Sequence, residues 1–71
     1  MQIYLYQLRK EKGITQKELA QKLGISETAY RQKEKGQRAF KSDEMFIIAY
    51  VLEKDIGEIF QTQDHEKWVC R

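Results

Sequence analysis

In the 71-residue chain, the segment QKELAQKLGISETAYRQKEK, residues 16–35, holds the residues best suited to chemistry. Glu27, Thr28, Arg31 and Gln32 are what remains for the outer face of a helix once the apolar positions around them turn inward. Together they carry hydrogen-bond donors, acceptors and a methyl group. Such a set suits the edges of bases in a major groove: glutamine pairs bidentately with adenine, glutamate accepts from cytosine N4, and threonine touches the thymine methyl. An ordinary solvated helix face has the same composition, so these four residues need a framework before they mean anything.

Other chemistries are absent from the pattern. No nucleophile–base pair, glycine-rich phosphate loop or paired carboxylates suggest catalysis, and no catalytic residue or cofactor is expected. His65, between Asp64 and Glu66, has no partners at metal-ligand spacing, so no metal site is expected. The lone Cys70 excludes an intramolecular disulfide and fits a reducing cytoplasm. The N-terminus reaches a charge too soon for a signal peptide, and the longest apolar run, residues 45–52, is too short to span a bilayer. A soluble cytoplasmic protein is expected. Its modest core would gain from dimerisation. Net charge is +2, but unevenly spread. Residues 1–41 hold ten Lys/Arg against four Asp/Glu, and residues 42–71 hold three against seven. A basic half and an acidic half suit a protein that turns one face to a polyanion.

Five helices are needed to position these residues. The first covers residues 3–12, with Leu5 and Leu8 at i, i+3 and Gly13 as its stop. The run Ile3-Tyr4-Leu5-Tyr6 also fits a short strand. The second opens with Thr15 and Glu18 at capping-box spacing, buries Leu19, Ala20 and Leu23, and ends at Gly24, where a β-carbon would obstruct the turn. Ser26 caps the third, which Gly36 stops; Ile14, Ile25 and Tyr30 complete the packing of this helix pair. Ser42 is expected to cap the fourth, whose buried face is Met45, Ile48, Ala49 and Leu52. The fifth is expected over residues 56–61, with Asp55 and Glu58 repeating the capping spacing.

The ordered set resembles the lambda-repressor/Cro family of helix-turn-helix domains, often called the XRE family. The matching residues are Leu8-Arg9, Gly13, Thr15-Gln16, Leu19-Ala20, Gly24-Ile25-Ser26, Glu34, Gly36, Arg38, Ser42, Ile48-Ala49, Leu52 and Glu58-Ile59-Phe60. The resemblance implies an all-α, compact five-helix lambda-repressor-like domain over residues 1–61, its helix-turn-helix formed by helices two and three; residues 62–71 have no clear pattern and are expected to be a tail that either joins a dimer interface or is disordered. It implies that Glu27, Thr28 and Gln32 read bases in double-stranded DNA, that Arg31 beside them reaches a base or a phosphate, and that Gln16, Lys17, Lys35, Gln37, Arg38 and Lys41 contact phosphates. Arg9 and Glu34 occupy positions that form a partly buried ion pair in relatives, an architectural role. The chain departs from the family at Lys33, where an apolar residue is usual and where the stem would pack while the ammonium meets water or a phosphate. Phe40 stands where proline is frequent.

The run MFIIAYVL leaves a second apolar face on the fourth helix: Phe46, Ile47, Tyr50 and Val51. Phe46, Tyr50, Ile59, Phe60 and Trp68 are expected at a homodimer interface, joined by Val69, although a central place in the bundle explains the same run. The function expected is a sequence-specific regulator, a repressor of phage, prophage or mobile-element type on a near-palindromic operator, with no small-molecule ligand. Rival readings are an antitoxin or anti-repressor-like interaction module and a restriction-modification controller.

Overall fold

The computed structural model, which describes residues 1–60, has five helices among them and no strand. They are α1 (Ile3–Glu11), α2 (Gln16–Leu23), α3 (Glu27–Glu34), α4 (Ser42–Leu52) and α5 (Ile56–Ile59). Val69 and Trp68, with His65 and Cys70, lie outside the described residues. The residues 3–6 that also fitted a strand are the first turn of α1, because Leu5 and Arg9 turn inward at helical spacing and are buried.

Side chains set most of the boundaries. The Thr15 hydroxyl accepts from the Glu18 amide at 3.1 Å, and the Glu18 carboxylate accepts from the Thr15 amide at 2.8 Å, closing the capping box of α2. Ser26 accepts from the Ala29 amide at 3.0 Å and starts α3. Each such cap stabilises its helix by about 1 kcal/mol. Between them the chain turns at Gly24, φ +73°, and the Ile25 amide bonds back to the Ala20 carbonyl at 3.0 Å. A β-carbon at Gly24 would meet nothing within 4 Å, so the expected steric obstruction is absent. Glycine is favoured there by the left-handed backbone itself.

Besides α1, which ends one residue early at Glu11, two boundaries differ from expectation. Ser42 does not cap α4 but is its first residue, with Lys41 at the cap. Acids take the hydroxyl's part: the Glu44 carboxylate accepts from the Lys41 amide at 2.8 Å, and Asp43 accepts from the Glu44 amide at 2.9 Å. The last helix ends at Ile59, since Phe60 already leaves helical geometry at φ −110°, ψ 48°.

The core unites Leu5, Leu19, Ala20, Tyr30, Phe40, Ile48, Leu52 and Ile59. Phe40 stands edge-on to Tyr30 and to Phe60, with ring centroids 5.9 and 5.3 Å apart. This aromatic row closes the bundle under the α3–α4 loop. Ile59 is fully buried here, which corrects its assignment to a dimer face: its surface is already enclosed within its own chain. Phe60 is half-buried, whereas Phe46 and Tyr50 are 65% and 85% exposed.

Candidate nucleic-acid interface

Beneath α3 lies a buried polar cluster built on Glu34. Arg9 donates from Nε to Glu34 Oε2 at 2.9 Å and from Nη2 to Oε1 at 3.3 Å. The Tyr30 hydroxyl donates to Oε2 at 2.9 Å, and Arg9 Nη1 reaches the Ile14 carbonyl at 2.9 Å. The pair is almost wholly enclosed, with side-chain exposures of 7% and 2%. Burial, together with the charge and hydrogen bond of Glu34, raises the Tyr30 phenol far above its ordinary range, so it stays a donor. The cluster ties α1 to the end of α3, and the chain's start adds to it: the Gln2 amide bonds the Glu34 carbonyl at 2.8 Å.

One side chain carries this buried order to the surface. Gln16, opening α2, donates from Nε2 to Glu34 Oε1 at 2.8 Å. Its amide oxygen then accepts from Arg31 Nε at 3.5 Å, and Arg31 Nη2 donates to Glu27 Oε2 at 3.3 Å. Gln16, Glu27 and Arg31 are thus brought together on one face, beside exposed Thr28 and half-buried Gln32. Gln32 accepts from Arg38 Nη1 at 3.5 Å, which links α3 to the loop that follows it. Lys17, Lys35, Gln37, Arg38 and Lys41 are exposed.

The loop between α3 and α4 is held from below. Lys33 Nζ lies 2.7 and 2.8 Å from the two Glu44 oxygens, with both side chains buried. This overturns the expectation that the Lys33 ammonium reaches water or a phosphate. It points inward instead, because a carboxylate at the start of α4 offers it a charged partner in a space that excludes water. Sequence reading missed Glu44 and the core role of Phe40. A signal for Glu44 was present, since it stands four residues before Ile48 and eight before Leu52, on the inward stripe of α4.

The face therefore presents donors and acceptors that are linked through Gln16 to the buried Glu34 cluster. It can hydrogen-bond planar polar edges and pair with anions along one ridge. No helix among the described residues is long and apolar enough to cross a membrane. No curated protein and no solved structure matches the chain significantly. A family model described as helix-turn-helix matches residues 5–59, a span that runs from α1 to the end of α5. The chain belongs to that family, the Cro/C1-type or XRE helix-turn-helix proteins, which are DNA-binding transcription regulators.

Proposed function

We propose that this protein is a cytoplasmic, sequence-specific repressor of phage, prophage or mobile-element type, acting as a homodimer on a near-palindromic operator. The observation that carries the reading is the row of exposed Glu27, Thr28 and Arg31 with half-buried Gln32, linked to the buried Glu34 through Gln16. In this reading α3 lies in the major groove. Gln16, Lys17, Lys35, Gln37, Arg38 and Lys41 hold the phosphates on either side. The dimer forms through Phe46 and Tyr50 on α4, with Phe60 at its margin, because a monomer seldom leaves two large aromatic side chains so open beside each other on one helix. Repression follows from occupying a site that polymerase needs.

Selection of bound fragments from random duplex DNA tests this directly. The expected result is two related half-sites in dyad arrangement, with centres about 34–36 Å apart. Sedimentation is expected to give a dimer that Tyr50→Arg dissociates. Failure to retain any duplex at low ionic strength overturns the DNA reading. A pure monomer at high concentration overturns the dimer.

A further inference from the structure

We infer that Arg31 reads a guanine, and that Glu27 is its positioning residue and not a reader of cytosine. The inference rests on the reading of α3 as the groove-entering helix and adds to it which base is recognised and how.

Glu27 is an anion on a face turned toward phosphates, which opposes binding unless the charge is used. Its carboxylate lies 3.3 Å from Arg31 Nη2, one helical turn away. The Gln16 oxygen approaches Arg31 Nε from the side of α2. Gln16 has no choice of orientation, since only its amide nitrogen can donate to Glu34, and Glu34 is locked by Arg9 and Tyr30. The two contacts are made by Nε and Nη2. They use Nε–H and one N–H of Nη2; Nη1 and the second N–H of Nη2 have no acceptor among the described residues, and the side chain is 46% exposed. A planar fork of two parallel N–H groups matches the adjacent O6 and N7 acceptors of guanine, whereas adenine presents an N6 donor that repels one of them. At 3.3 and 3.5 Å the contacts with Glu27 and Gln16 orient the side chain loosely. The carboxylate also offsets the arginine's charge, so the residue contributes less to indiscriminate phosphate binding and more to the choice of base.

The test uses the full chain and duplexes selected from a random pool, with the critical guanine of each half-site then replaced by 7-deazaguanine, which pairs normally but lacks N7. Wild type is expected to lose about tenfold or more in affinity, and Arg31→Ala to bind both duplexes equally. Glu27→Ala is expected to narrow the difference while binding random duplex as well as wild type or better. Glu27→Gln, which keeps an acceptor for Nη2, is expected to restore it. Arg31 and Glu27 are each close to half exposed, so these variants fold. Arg31→Ala retaining the response to 7-deazaguanine overturns the assignment, as does a preference for cytosine that disappears with Glu27→Ala alone. Those results leave duplex binding intact, so they differ from a failure of the DNA reading, in which no duplex is retained by any form of the protein.

Discussion

Lys33 and Glu44 form a two-pronged ion pair across the loop that joins the third and fourth helices, ammonium to carboxylate at 2.7 and 2.8 Å. The same carboxylate accepts the Lys41 amide, so a single acid closes the loop, starts α4 and neutralises a buried cation. The exposed cations Lys35, Arg38 and Lys41 therefore sit on a segment whose two ends are anchored, with Phe40 inserted between them. A loop held in this way presents its charges in one arrangement, and the ordering entropy is lost on folding, not on binding.

Stability should fall in acid partly through Glu44. Burial works against its carboxylate, but the hydrogen bonds from Lys33 and the Lys41 amide, with the charges of both lysines, hold it below its ordinary value of 4.5. A depressed folded value means that the contribution is complete above the ordinary value. It is lost as pH falls through 4.5 and on through the lowered value. Glu44→Gln is expected to be less stable than wild type at pH 7, yet to lose less between about pH 5 and pH 3. Urea midpoints measured across that range check it; parallel losses in the two proteins would remove Glu44 from the acid limb.

The Arg9–Glu34 pair should be costlier to break than any surface ion pair. Glu34→Gln keeps the shape but leaves the guanidinium enclosed without a counter-charge, and such a loss costs about 3–5 kcal/mol. Lys12 and Glu53, 3.9 Å apart and with Glu53 largely exposed, serve as the contrast. Removing that partner is expected to cost at most about 1 kcal/mol. Equilibrium unfolding of Glu34→Gln and Glu53→Gln gives both numbers. Similar costs would mean that the buried pair is solvated far more than its geometry implies.

Legibility in the sequence followed the range of the interaction. Capping at Thr15 and Ser26, the stops at Gly13 and Gly24, and the inward stripe of Leu19 and Ala20 are all decided within a few residues, and periodicity finds them. The polar row of α3 was readable for the same reason: it is the remainder after Tyr30 and its neighbours turn inward. Lys33 was misread because its partner is eleven residues away on another helix. Nothing within one turn of Lys33 reports the presence of Glu44. Ile59 was misplaced for a related reason, since an apolar residue near the end of a chain suits its own core or a partner's equally well. The contacts that aim Arg31 combine a local pair with Glu27 and a distant one through Gln16, and only the local half could be seen from spacing.

Glycine substitutions should separate backbone strain from steric conflict. At Gly24, φ +73° with open space for a β-carbon, alanine is expected to cost about 1–2 kcal/mol from the left-handed conformation alone. At Gly36, φ +87°, the new carbon would also stand 3.2 Å from the Met1 nitrogen, so alanine should cost more. Glu53 offers the opposite sign, because it holds φ +58° at the end of α4, where glycine is at ease. Glu53→Gly is expected to stabilise the protein by about 1 kcal/mol, the exposed contact with Lys12 contributing little against it. Thermal unfolding of the three variants ranks them. Equal costs at Gly24 and Gly36 would mean that the chain's start moves aside freely.

Lys35 and Arg38 should differ in what their loss does to DNA binding, although both are exposed cations of one loop. If each holds a phosphate, replacing either with alanine weakens binding to every duplex and lowers the slope of log affinity against log salt by about one. Among the described residues Lys35 has no side-chain partner that would transmit more. Arg38 donates to the Gln32 oxygen at 3.5 Å, and that contact leaves the Gln32 amide nitrogen to face a base. Without Arg38 the Gln32 amide is free to turn over. Arg38→Ala is therefore expected to relax the preference at the base pair read by Gln32 as well, and Lys35→Ala to leave every preference unchanged. Salt titrations on one selected duplex, paired with a fresh selection for each variant, distinguish the two effects. Identical selected sequences for Arg38→Ala and Lys35→Ala would reduce Arg38 to a phosphate contact and detach it from the reading of bases.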